Sequence, residues 1–376
     1  MNDTLDGLQL TRKLVSFDTI NPPGRERPCV EYIAGLLEEA GFETTYHEFG
    51  TDRTSLVARL PATAATRQPI VFSGHIDTVP LGLADWSVSP FDGEVRDGRL
   101  YGRGTSDMKS GVAAFILAAR RLAKLEQRGA DVVVMVSAGE ETGCDGVLHL
   151  AKDKKALGEC GALIVAEPTD NRPMIGHKGA LWMDLVFSGV TAHGSMPDKG
   201  DNAIYKACAA IDTLRGFDFG VEPDPVMGAP TLNVGTMSAG MNVNSVPDSA
   251  RVGVDIRTIV GQTNAGVRDA LSELLGPEVG FETLTDMDHV YTDPEDPWMR
   301  SVFEATERVL GGPVKVETAT YFSDASVLKR AWGDPPTVIM GPGTMAMAHQ
   351  TDEYCEVDRI DPCADVFTAI GEDYLS

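Results

Sequence analysis

Four apolar runs in this chain each lead into a residue that can bind a metal, and that pattern constrains the fold more than any other feature. Residues 69–73 (PIVFS) run into Gly74-His75-Ile76-Asp77, and residues 132–137 (VVVMVS) run into the adjacent acids Glu140 and Glu141. Residues 162–166 (ALIVA) end at Glu167, and residues 337–340 (TVIM) open into Gly341-Pro342-Gly343, with His349 shortly beyond. Short β-branched runs bounded by glycine and proline read as buried strands of a mostly parallel sheet. Ligands of such sheets gather in the crevice beyond the carboxyl ends of the strands. Acids and histidines at several of these ends therefore aim at one place, and the pattern predicts a metal site on an α/β scaffold.

The stretches around these runs supply the rest of the scaffold. Residues 6–17 read as a helix, Asn21-Pro22-Pro23 as a turn, and residues 30–40 as a second helix closed by Gly41. Strands then alternate with helices as far as Glu167, including a helix over 111–125, which is the pattern of a sheet with helices on both faces. After His177 the texture changes. Residues 180–188 (ALWMDLVFS) alternate, a helix follows over 202–214, then strand-like pieces at 231–236 and 250–256, a helix over 266–275 and a strand near Phe281. That order makes a ferredoxin-like split βαβ sandwich. Residues 286–297 read as a linker, and helices over 297–310 and 323–332 with a last strand resume the first pattern. The expected organisation is a zinc-binding catalytic domain, 1–177 plus 288–376, with an inserted α+β domain at 178–287. With 376 residues the chain exceeds the ~250–300 at which one core stops growing.

A formal net charge of −24 excludes nucleic acid as a partner, since its phosphates would be repelled. No run reaches the ~20 apolar residues of a membrane span, so no membrane partner is expected. The opening MNDTLDGLQLTRKLVSF lacks the basic and apolar segments of a secretory signal. The six cysteines show no CxxC pair, which suggests reduced thiols and a cytoplasmic protein. Cys144, close to the acid pair, is a candidate nucleophile, but with no histidine paired to it the favoured reading is a small residue in the glycine-rich turn ETGCDG.

The chemistry of the constellation follows from its residue types. The carboxylate of Asp77, two residues after His75, can fix the imidazole tautomer. Asp107 lies in the glycine-rich GRGTSDMKSG. Glu140 and Glu141, if extended, point in opposite directions, so one can hold a metal while the other stays free as a base. Asp107, Glu141 and Glu167 carry three negative charges, and His75 and His349 bind as neutral rings. Two divalent ions leave one positive charge, which a bridging hydroxide neutralises. Zinc suits this mixed set, and two ions ~3.5–4 Å apart sharing a carboxylate form a hydrolytic arrangement. Asp107, on the tightest loop, is the natural bridge. Taken singly each residue is an ordinary cap or turn residue; their joint occurrence carries the reading.

The motifs SGHIDTVP, YGRGTSDMKSG, AGEETGCDG, AEPT and AHQTDE resemble the co-catalytic zinc metallopeptidase and deacylase family, over nearly the whole chain. That family includes acetylornithine deacetylase, succinyl-diaminopimelate desuccinylase, carboxypeptidase G and aminoacylase. The resemblance implies two zinc ions per subunit, with cobalt or manganese able to substitute. His75, Asp107 and Glu167 would hold one, and Asp107, Glu141 and His349 the other, with Asp77 orienting His75 and Glu140 as general base. The Asp107–Met108 peptide would be cis. The inserted domain would act as lid and as the contact of a homodimer, with His193 reaching the partner's site to stabilise the oxyanion. Asn244 and Arg257 would contact substrate, the arginine by gripping a carboxylate, and the N–H groups of the loop holding Gly341 and Gly343 would face that carboxylate. The implied substrate is an N-acyl amino acid or a short peptide with a free carboxylate.

In one place the chain departs from the family. Deacetylase and desuccinylase members carry an arginine soon after the Ser/Thr-Asp of the loop before the last strands, where this chain has Ser326. Tyr321 and Phe322 then stand as candidates for an apolar acyl pocket or for core packing, and Asp324 as a helix cap. A carboxypeptidase or dipeptidase remains an alternative within the family. A non-catalytic metal-binding or dimerisation protein is the alternative outside it, and the intact Glu140 and five ligands argue against that.

Overall fold

A computed structural model describes residues 5–376; the first four residues of the expected 1–177 stretch lie outside the described residues. The chain forms two compact units. One comprises the residues up to Gly176 with Tyr291–Ala319 and Ser323–Ser376; the other comprises His177–Val290 with Thr320–Phe322.

The first unit is built on a nine-stranded mixed sheet. Its centre is parallel: Ile70–His75 pairs with Val132–Ser137 on one side and with Ala162–Val165 on the other, and Thr337–Ile339 pairs parallel with Ala162–Val165. The four apolar runs are thus neighbours running the same way, and their carboxyl ends lie along one edge. Every residue of Ile70–His75 and Val132–Ser137 is buried, as expected of strands covered on both faces. Helix Ser110–Leu122 packs on helix Ile360–Leu375, and Phe72 meets Phe367 edge-on at 6.0 Å. The flanks are antiparallel, beginning with the hairpin Glu43–Gly50 and Arg53–Leu60, which the run pattern does not single out. The segment expected as a linker instead contributes the short strand Val290–Tyr291, because Val290 is fully buried at the sheet's far edge.

A separate three-stranded sheet joins Tyr354–Glu356 to Arg99–Tyr101, with Tyr354 opposite Tyr101. It carries the loop after Gly102 to the stretch after His349, two segments far apart in the chain.

The second unit holds strands Ala180–Ser188, Thr231–Ala239, Ser249–Arg257 and Val279–Met287 with helices Ala203–Leu214 and Asn264–Leu275. The strands order as Thr231–Ala239, Ser249–Arg257, Ala180–Ser188, Val279–Met287, all antiparallel, which is the ferredoxin-like arrangement expected. Its core is apolar and its own, centred on Leu181, Met183, Leu185, Val252, Ile256 and Leu271.

Two glycines test the packing. A Cβ on Gly111 would lie 2.1 Å from the Ala166 carbonyl oxygen, so the helix could not approach the strand that delivers Glu167. Gly35, inside helix Arg27–Glu38, has nothing within 4 Å of such an atom. Gly111→Ala is expected to cost ~1–3 kcal/mol through overpacking. Gly35→Ala is expected to add ~0.5–1 kcal/mol through backbone entropy. Denaturant melts of the two variants check both signs.

Candidate metal centre

Each predicted ligand arrives from a different element of the first unit. His75 ends the central strand, Asp107 sits in the loop before helix Ser110–Leu122, and Glu167 follows Ala162–Val165. Glu140 and Glu141 follow Val132–Ser137, not as an extended pair but in a turn whose Glu140 carbonyl accepts from the N–H groups of Gly143 and Cys144. The turn arises because Gly139 takes a φ of +80°. His349, at φ +64°, comes from the loop before Tyr354–Glu356.

These side chains converge. Asp107 presents its two oxygens to two different histidines: Oδ1 lies 3.2 Å from His75 Nε2, and Oδ2 lies 3.5 Å from His349 Nε2. On the His75 side Glu167 Oε2 stands 3.9 Å from Nε2; on the His349 side Glu141 Oε2 stands 3.0 Å away. Donors sharing a tetrahedral zinc would lie ~3.4 Å apart, from bond lengths of ~2.0–2.2 Å. The donor set therefore fits a metal on each side of Asp107. Glu141 Oε1 is buried and has no hydrogen-bond partner, an orphan that a cation would satisfy. The Asp107–Met108 peptide is cis.

The electrostatics agree with the geometry. Burial pushes the carboxyls of Glu140 and Glu167 well above the usual carboxylate range, and burial with the neighbouring Asp107 charge lifts Glu141 to about 7. So many buried acids cannot all ionise unless cations accompany them. Burial alone would depress the His75 pKa, yet hydrogen bonds to Asp107 and Asp77 outweigh it and hold that pKa well above its ordinary value.

Asp77 meets His75 through its backbone as well as its carboxylate. His75 Nδ1 donates to the Asp77 backbone carbonyl at 3.0 Å, and the Asp77 carboxylate is farther, at 3.6 Å. When the ring is neutral this leaves the Nε2 lone pair facing Asp107. The carboxylate also accepts from the N–H groups of Glu140 (3.1 Å) and Glu141 (3.2 Å) and from Asn21 Nδ2 (2.9 Å). It thus fixes the turn that carries base and ligand. Asn21, read from the sequence only as part of a proline turn, also donates to the Thr142 hydroxyl.

Glu353 lies within AHQTDE, yet no local pattern singles it out. Its Oε1 accepts from the N–H groups of Ser106 (2.8 Å) and Asp107 (3.0 Å), and its Oε2 from Gly104 N–H (2.9 Å) and Arg103 (2.7 Å). Both side chains of the Arg103–Glu353 pair are 1% exposed. Asp324 was expected as a cap, but it makes no capping bond; it is buried, bonded to the Ser137 hydroxyl, and lies beside Glu140 and Cys144. Nothing in its sequence neighbourhood signals that placement.

The remaining predicted residues are held as follows. Gly341 and Gly343 permit close backbone approach: a Cβ would stand 2.3 Å from the Ala166 oxygen and 2.1 Å from the Ser106 oxygen respectively. The Gly341 N–H, expected to face a substrate carboxylate, is instead taken by the Thr169 hydroxyl at 3.1 Å. In the second unit His193 and Asn244 are brought together, with Gly194 N–H donating to the Asn244 carbonyl at 2.7 Å. Arg257 is placed apart from them, paired with Asp255 at 2.9 Å, its guanidinium 5.7 Å from the Trp182 ring centre. Phe322 meets Trp182 edge-on at 5.8 Å.

A parallel-centred α/β sheet with histidines and acids gathered at its strand ends defines a metallohydrolase scaffold, and comparison with known proteins agrees. Residues 71–373 match peptidase family M20/M25/M40, and the chain belongs to that family. It is a hydrolase acting on amide bonds. The chain is similar to succinyl-diaminopimelate desuccinylase of Wolbachia pipientis wMel, 31% identical over 99% of this chain and 94% of the relative. It is also similar to acetylornithine deacetylase of Proteus mirabilis (strain HI4320), 28% identical over 98% of this chain and 96% of the relative. Among solved structures its fold matches the YXEP protein of Bacillus subtilis, described as a dinuclear metal binding peptidase from the M20 family. That match has a TM-score of 0.75 at 16% identity and covers 98% of this chain and 97% of that one.

The Glu353 clamp makes a prediction. Glu353→Ala leaves Arg103 buried without its partner and should cost ~3–5 kcal/mol. Glu353→Gln keeps the shape and should fold with a smaller loss, yet bind metal more weakly because the Asp107 loop loosens. Denaturant melts and metal content after dialysis, measured on both variants, check the two effects separately.

Proposed function

We propose that this chain is a dinuclear zinc amidohydrolase that removes the acyl group from N-acyl amino acids. The observation that carries the reading is Asp107 facing a different histidine with each oxygen, while Glu140 stays near the cluster at 4.0 Å from His75 Nε2. His75, Asp107 and Glu167 would hold one ion; Asp107, Glu141 and His349 the other. Zinc fits this nitrogen and oxygen donor set best, with cobalt or manganese able to substitute. Bound there, the two ions supply Lewis acidity to water and to the scissile carbonyl.

The chain's own groups do the rest. Glu140 takes the proton of the attacking water and delivers it to the leaving amine. Its buried carboxyl, with a raised affinity for protons, suits both halves of that transfer. Asp77 keeps Glu140 aimed through the backbone N–H it accepts. His193 and Asn244 contribute to the oxyanion and substrate contacts, and Arg257 receives the free carboxylate of the amino acid, exchanging it for Asp255. His193 reaches the site of a partner subunit in a homodimer formed through the second unit. Strand Thr231–Ala239, an edge strand exposed along most of its length, suits that contact. The six free cysteines suit a reducing, cytoplasmic setting, and no helix among the described residues is long and apolar enough to cross a membrane.

The acyl group is the least constrained part. Ser326 is 3% exposed and offers no cation where related deacylases are expected to carry an arginine, which favours uncharged acyl groups. A panel of N-acyl amino acids, set against dipeptides, tests this. Acyl amino acids should be cleaved faster; faster cleavage of dipeptides would point to the peptidase reading. Glu140→Gln should lower kcat by ~10²–10⁴-fold with metal content unchanged. Full activity in that variant would refute the base assignment.

A further inference from the structure

Glu140 also belongs to a second group of ligand-type side chains. The donor atoms of Glu140, Cys144 and Asp324 all lie within 4.8 Å of one another. Cys144 Sγ stands 3.9 Å from Glu140 Oε1. A thiolate and a carboxylate oxygen sharing a tetrahedral zinc would lie ~3.6 Å apart, so the observed spacing suits a slightly larger, softer cation. Cys144 is fully buried and Asp324 is 1% exposed. Asp324 spends one oxygen on the Ser137 hydroxyl, while its other oxygen, Oδ1, is buried with only the Cys144 thiol to interact with. A buried carboxylate oxygen whose sole neighbouring donor is a weak thiol is a costly arrangement that a cation would relieve. Glu140 belongs to both groups, since its other oxygen, Oε2, lies 4.0 Å from His75 Nε2.

We propose that Glu140, Cys144 and Asp324 form an inhibitory metal site for a thiophilic divalent cation such as cadmium. On binding, the Cys144 thiol gives its proton to water, the sulfur and two carboxylate oxygens bond the cation, and the cation sheds bound waters in exchange. No oxidation or reduction takes place. The Glu140 carboxylate, once bonded to the cation, can no longer accept the proton of the attacking water. That inhibitory effect rests on the proposed role of Glu140 as base, whereas the binding site itself rests only on the three side chains.

The test adds cadmium to holoenzyme already loaded with its two active-site metals, and follows uptake by elemental analysis with the ultraviolet absorption of a cadmium–thiolate bond. The wild-type chain should take up one further equivalent, gain that absorption and lose ~10²-fold or more in kcat, the scale of a lost general base. Cys144→Ser and Asp324→Asn should each keep the two active-site metals, read by elemental analysis, while losing the extra equivalent. Cys208→Ser, which removes the one exposed thiol, should bind cadmium as the wild type does. No further uptake by the wild type, or equal uptake by Cys144→Ser, would overturn the site. Uptake without inhibition, in an enzyme that Glu140→Gln inactivates, would overturn the inhibitory role. If Glu140→Gln instead hydrolyses normally, the proposed function fails at its base, and uptake alone decides the site.

Discussion

The buried Glu353 carboxylate, gripping the N–H groups of Gly104, Ser106 and Asp107 and the guanidinium of Arg103, is the interaction on which the candidate centre depends. It lies within AHQTDE four residues after His349, so one short segment supplies both a ligand and the clamp that shapes the Asp107 loop. The three-stranded sheet places the clamp by pairing Tyr354 with Tyr101. Hydrogen bonds to a charged acceptor contribute ~1.5–3 kcal/mol each, enough to hold a loop that glycine alone would leave adaptable. Asp77 plays the matching part for the turn at Glu140 and Glu141. Two carboxylates that need bind no metal thus position two candidate ligands, Asp107 and Glu141, and the candidate base Glu140.

This division of labour explains what the sequence could reveal. The strand-end acids and histidines were legible because a buried parallel strand is a local pattern and its end is a place of known use. His75, Asp107, Glu141, Glu167 and His349 do converge. The ferredoxin-like order of the second unit was legible for the same reason, from alternation and helix periods. What stayed hidden depends on three-dimensional neighbours. Glu353 finds its backbone partners some 250 positions away in the chain. Asp324 looks like a helix cap until its burial beside Ser137 is seen, and Asn21 looks like a turn residue until it meets Asp77. The adjacent acids were expected to diverge as in a strand, but the positive φ of Gly139 makes them part of a turn.

The second unit carries a different kind of constraint. Arg257, the residue expected to receive a carboxylate, is already neutralised by Asp255 and sits over Trp182, which Phe322 also meets. Under the proposed function a substrate carboxylate would compete with Asp255 for Arg257. On the proposed function, reaction class and substrate choice would fall to different residues, the first at the sheet's strand ends and the second largely in the second unit.

The central claim is that Asp107 is shared by two ions, and metal content measures it most directly. Native protein should hold two divalent ions per chain. Replacing Glu167 should release the ion on the His75 side alone, whereas Asp107→Ala should empty both sites. Two ions retained without Asp107, or one ion in the native chain, would contradict the account.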